Sequence, residues 1–204
     1  MTTHSLRRWG AVLITGGVVV FVAYLFFPST AYDPLLPVCA AGVLIGLLLL
    51  LPGLFALQRG QSERAAVNGW IGAGLLAAGI VLIEFPHCIL ALVDIDRLKD
   101  LDGFHASFLG QVEFYAIIPL AVGQLVLAVA ILRARVYPRW AAGIIFLDVA
   151  LSVAGQVVPE LADWLRFPAP NYLLAGLLGT AMIRLAGQRE ASLAGVKQPS
   201  EAVV

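Results

Sequence analysis

The stretch Trp70–Val93, WIGAGLLAAGIVLIEFPHCILALV, decides the fold. As a helix rising 1.5 Å per residue it extends about 36 Å, enough to cross the ~30 Å hydrocarbon layer of a bilayer. Its far half nevertheless carries Glu84, Pro86 and His87. Ionisable side chains at membrane depth are costly, so this pair is a functional candidate by default. The neighbouring segments are then expected to shield these groups from lipid and to supply partners for them.

The rest of the chain has the same character. Of 204 residues 60% are hydrophobic and 13% charged, and the mean hydropathy is +0.91. A soluble domain of this length needs far less apolar surface. The formal net charge of zero gives no electrostatic footprint for nucleic acid or an acidic partner. Two cysteines, Cys39 and Cys88, exclude a disulfide framework and any multi-cysteine metal motif, although a single disulfide between them is compatible with their positions.

Six apolar segments follow one another: Trp9–Phe27, Leu35–Leu57, Ala66–Val93, Phe104–Leu132, Trp140–Val158 and Asn171–Ala186. Each is compatible with one span at modest tilt. The reading is an all-α, six-transmembrane-helix bundle over residues 1–187, with a flexible cytoplasmic tail at 188–204. The first segment follows Arg7 and Arg8 as in a signal peptide, but no small-residue cleavage pattern ends it, so it is counted as a helix.

Lys and Arg set the orientation. Arg7, Arg8, Arg59, Arg64, Arg133, Arg135, Arg139, Arg184, Arg189 and Lys197 fall on one side; Arg97, Lys99 and Arg166 fall on the other, among seven acids. Both termini are therefore expected in the cytoplasm, with the protein in the plasma membrane.

The outgoing segments repeat a pattern. RRWGAVLITGG leads to Pro28, NGWIGAGLLAAG to Pro86 and PRWAAGIIFLD to Pro159; the returning GLLLLLPGLFALQR, GQLVLAVAILRAR and GLLGTAMIRLAGQR end at Arg59, Arg135 and Arg189. Three parallel helical-hairpin repeats are expected. Tryptophan belts, small residues and arginine anchors recur in any such hairpin, but the shared Trp-to-Pro spacing goes beyond them.

The turn LRARVYPRWAAGIIFLDVAL, with LLPGLFALQRG before it, resembles a widespread group of small multi-spanning bacterial integral membrane proteins. That resemblance implies a bacterial membrane location and carries over no activity and no site residue.

Chemistry has to come from polar residues at membrane depth. Counted from its inner Trp, Asp148 lies about 12 Å into the bilayer and Glu84 about 21 Å. Counted from Phe104, Glu113 lies about 14 Å from the outer face, so Glu113 and Asp148 are expected near one level. Glu84, His87 and Gln156 form a layer nearer the outside, with His105 at its rim. Glu113 and Gln124 share a helix face, and Asp148, Ser152 and Gln156 make an i, i+4, i+8 stripe. Converging faces would enclose a polar cavity open toward the outer leaflet. No Lys or Arg is available at that depth, so Glu113 and Asp148 are assigned as an acid and base, with Glu84 and His87 at the entrance. His105, Gln156, Ser152, Gln124 and Trp164 are assigned to ligand binding. Interhelical hydrogen bonding is the competing use of any one of them.

Weaker patterns are set aside. Glu84, His87, Cys88 and His105 match no zinc spacing, and the two histidines differ in height for bis-histidine haem, so neither metal nor cofactor is expected. The loop DIDRLKDLDG lacks the closing Glu of a calcium loop. PELADWLRFPAP, with Trp164, reads as a short amphipathic piece along the outer interface. Gly42 and Gly46, and the small residues from Gly72 to Gly79, serve close helix packing, with a homo-oligomer or a membrane-protein partner as the alternative use.

Three functions fit these residues: a cavity that binds a lipid-soluble molecule of isoprenoid or quinone class, with or without transforming it by acid–base chemistry; a small proton- or cation-coupled transporter; and a structural or accessory subunit. Polar steps thin out toward the cytoplasm, which disfavours transport. The shared depth of the acids favours the cavity.

Overall fold

The computed structural model describes residues 1–27, 34–94, 107–157 and 168–196. Among these there are six helices and no strand: α1 (Thr3–Leu25), α2 (Leu36–Gln61), α3 (Val67–Val93), α4 (Phe108–Ala134), α5 (Arg139–Val157) and α6 (Ala169–Val196). Helical bonding runs unbroken over Leu36–Val93, yet Phe55 stacks on Trp70 with centroids 6.5 Å apart. In a straight helix those residues would stand about 22 Å apart, so the chain reverses between α2 and α3.

Helices α1 to α4 are each long and apolar enough to cross a membrane. Residues such as Val38, Leu48, Val67 and Ile118 are exposed, so the outer surface is apolar. A lipid-facing bundle shows this inversion, since nothing outside favours polar groups. Side-chain caps start two of the helices: Thr2 Oγ1 accepts from Ser5 N (3.2 Å) and Ser107 Oγ from Gly110 N (3.3 Å). Arg135, in the left-handed region at φ 50°, ends α4.

Glycines set the packing, because in lipid close backbone approach replaces hydrophobic drive. A Cβ on Gly16 would lie 2.6 Å from Leu50 N, joining α1 to α2; one on Gly17 would lie 2.6 Å from Gly176 Cα, joining α1 to α6. In the α3–α4 pair, Gly72 meets Leu127 N at 2.6 Å and Gly79 meets Leu120 Cα at 2.7 Å. This antiparallel register, 72 with 127 and 79 with 120, continues outward to bring residue 87 against residue 113. Among the described residues of helix α5 no such seam is found: Gly143 faces open space, and the buried side chains are Ala141, Ala142, Ile145 and Asp148. It therefore splays from α4 beyond their short connection.

Several boundaries differ from expectation. Helix α4 starts at Phe108, after the Ser107 cap, instead of at Phe104. Helix α6 runs past Gly187 to Val196, where a flexible tail was expected from 188; Glu190 pairs with Arg7 at 2.5 Å and Arg189 Nη1 donates to Met1 O, tying those turns to α1. Pro52, Pro86 and Pro119 lie inside helices. The Tyr137 hydroxyl donates to Leu57 O at 2.9 Å, and Gly60 lies beside Leu6 and Tyr137. The N-terminus, the α2–α3 and α4–α5 turns and the end of α6 thus gather at one arginine-rich end.

Candidate functional site: an apolar cavity with two polar stations

A cavity of about 510 Å³ opens where α5 splays away, bounded by α3, α4, α5 and α6 and floored by Leu54 and Leu178. Its wall is mostly aliphatic, from Leu76, Ile80 and Ile83 through Leu120 to Ile144, Ile145 and Val149. Three wall residues are exposed at the α4–α5 gap: Phe114 (67%), Val153 (57%) and Ile117 (44%). The mouth therefore opens sideways between α4 and α5, toward lipid if these helices span a bilayer.

Polar groups enter this wall at two levels. At the inner one, Gln124 Nε2 donates to Asp148 Oδ2 at 2.6 Å; both residues are buried. Ser152 Oγ donates to the Asp148 carbonyl at 2.9 Å, the usual i−4 back-bond, and accepts from Asn171 Nδ2 at 2.8 Å. Asp148 Oδ1 and Asn171 Oδ1 are buried with no partner among the described residues. At the outer level His87 Nδ1 lies 3.1 Å from Glu113 Oε2, in half-exposed positions. This contact follows from the α3–α4 register.

Glu84 stands in the wall, only 4% exposed, and accepts a hydrogen bond on each oxygen, one from Tyr24 of α1 and one from Tyr172 of α6. The two tyrosine rings stack, with centroids 5.7 Å apart and 3° between planes, and Phe27 stacks on Tyr24. A buried carboxyl needs such partners, and these link three helices through one side chain.

The expected residues are thus only partly brought together. Glu84, Glu113, Gln124, Asp148 and Ser152 line one cavity, and His87 joins it through Glu113. Glu113 and Asp148 do not form a facing pair. Gln124, the partner of Asp148, lies eleven residues from Glu113, about 16 Å of helix rise. The depth count failed because it began at Phe104; starting α4 at Phe108 moves Glu113 about 6 Å outward, to the level of His87. The side chain of Gln156, and His105 and Trp164 entirely, lie outside the described residues. Among those that are described, no three His, Cys, Asp or Glu side chains gather to hold a metal ion.

Tyr24, Tyr172 and Asn171 were missed. Tyr172 was discoverable, since 171, 172, 175 and 178 share one helix face, but a tyrosine near a span end reads as interfacial belt. Buried Gln58 and Gln61, bonded at 2.8 Å at the inner end of α2, were also missed.

No family model, curated protein or solved structure matches this chain.

Proposed function

We propose that this protein is a six-span integral membrane protein of the bacterial plasma membrane whose cavity binds a lipid-soluble small molecule of isoprenoid or quinone class. The observation that carries the reading is an aliphatic cavity of about 510 Å³, interrupted by a few polar groups and open sideways at Phe114, Ile117 and Val153. Ligand sites commonly have this make-up and fall in the range of about 300–1,000 Å³. A molecule with an apolar body enters from the bilayer through the α4–α5 gap and sets its polar head at Asp148 or at the His87–Glu113 pair. Those groups are the ones available to exchange a proton with the head, which is how enzymatic activity would arise. Ser152, Gln124 and Asn171 orient it.

The topology within this proposal has α5 and α6 as the fifth and sixth spans and both termini in the cytoplasm. Support comes from the Arg7–Glu190 pair, which joins the two terminal regions, and from the arginines gathered at that end. The three-hairpin repeat is supported by Gly46, Gly123 and Gly176, which open the returning motifs and each seat against an outgoing helix, although Gly176 seats on α1 and not on α5. Membrane lipid is the surrounding partner.

Native mass spectrometry of the protein released gently from its own membrane tests the reading. A defined small molecule should stay bound, and Ala121→Trp, which fills the cavity from α4, should lose it. An empty wild type, or one carrying only bulk phospholipid, would favour the accessory-subunit reading.

A further inference from the structure

Two acceptors in the cavity wall lack hydrogen-bond partners among the described residues, Asp148 Oδ1 and Asn171 Oδ1. Asp148 is 8% exposed, and both residues line the cavity. Their orientations are set by their neighbours. Ser152 gives its only hydrogen to the Asp148 carbonyl, so its oxygen must accept from the Asn171 amide nitrogen. That polarity fixes the amide and leaves its carbonyl oxygen over. Gln124 occupies Asp148 Oδ2 and leaves Oδ1 over in the same way. Buried polar groups are paired as a rule, so this corner is complete only when a donor enters it.

Resting on the cavity reading above, we infer that the site selects a long-chain alcohol over the ether or carbonyl form of the same apolar body. The hydroxyl hydrogen goes to one of the two spare oxygens, and the hydroxyl oxygen accepts from the second amide hydrogen of Gln124, which also lines the cavity. An ether or carbonyl head brings only lone pairs to a pair of acceptors. It leaves both unpaired and is discriminated against by what it lacks. Within the two ligand classes, an isoprenoid alcohol or the reduced, hydroxylic form of a quinone fits; the oxidised quinone does not.

The test uses the full chain in detergent with three probes of one body: a fifteen-carbon isoprenoid alcohol, its methyl ether and its aldehyde. The alcohol should bind about tenfold tighter than either, the effect of one satisfied buried acceptor. Asn171→Leu and Asp148→Asn, checked for unchanged helical content, should each shrink that ratio. Equal binding of all three probes overturns the inference and leaves the cavity reading standing. Binding of none overturns both. Stabilisation by sodium ion with no preference for the alcohol would make the two oxygens cation ligands and would also overturn it.

Discussion

Tyr172→Phe isolates the value of one hydrogen bond in the Glu84 clamp. The ring stays, so its stacking on Tyr24 at 5.7 Å is kept, and only the hydroxyl that donates to Glu84 Oε1 is removed. Glu84 is 4% exposed, so the abandoned oxygen has little water to turn to. Hydrogen bonds to charged groups contribute about 1.5–3 kcal/mol in soluble proteins. Interhelical bonds measured inside membranes average about 0.6 and reach about 1.7 kcal/mol. A loss of about 1.5 kcal/mol is expected, close to tenfold in the folding equilibrium. Tyr24→Phe should cost a similar amount, and the double variant more than the sum, because it strands the whole carboxyl. Glu84→Gln, which keeps an acceptor and offers a donor to a rotated tyrosine hydroxyl, should cost less than the double variant. Equilibrium unfolding in mixed micelles reads all four. Both single variants falling within about 0.3 kcal/mol of wild type would refute the clamp as a structural element.

Other consequences follow from particular contacts. Gly72→Ala should destabilise by several kcal/mol, since its Cβ would lie 2.6 Å from a backbone nitrogen, whereas Gly74→Ala, with nothing within 4 Å, should stabilise by about 0.5–1 kcal/mol; paired melts decide it. Glu113→Gln should cost under about 1 kcal/mol of stability, because its pair with His87 is partly exposed, while weakening ligand retention in native mass spectra. Burial raises the Tyr137 phenol above its ordinary range, so it remains a donor to Leu57 O at any working pH; Tyr137→Phe should cost about 1 kcal/mol, independent of pH. A cysteine at Glu190 should react with impermeant thiol reagents only from the cytoplasmic side, and labelling from outside would overturn the proposed topology.

Hydropathy made the helical content and four long apolar helices legible, because segment length and composition depend on nothing beyond the chain itself. The polar residues of the cavity could be named for the same reason: Glu84, Glu113, Gln124, Asp148 and Ser152 are conspicuous in apolar segments. Their pairing was less legible. Register between helices is set by glycine contacts such as Gly72 with Leu127, and by where a cap such as Ser107 starts the count. A four-residue shift at one helix start was enough to move Glu113 from Asp148 to His87. Tyr24 and Tyr172 stayed hidden because an aromatic with a polar tip fits an interface as well as a buried clamp. The extension of α6 to Val196 depends on docking against the start of α1, which local composition does not report.

Photolabelling addresses the central claim most directly. A diazirine-bearing isoprenoid alcohol, added to membranes containing the protein and activated by light, should leave adducts on cavity residues such as Ile80, Leu120, Val149 and Ala175, competed away by unlabelled alcohol and absent in Ala121→Trp. Adducts spread over outward-facing residues such as Val38, Leu48 and Ile118, with no competition, would mean that the cavity holds no such ligand.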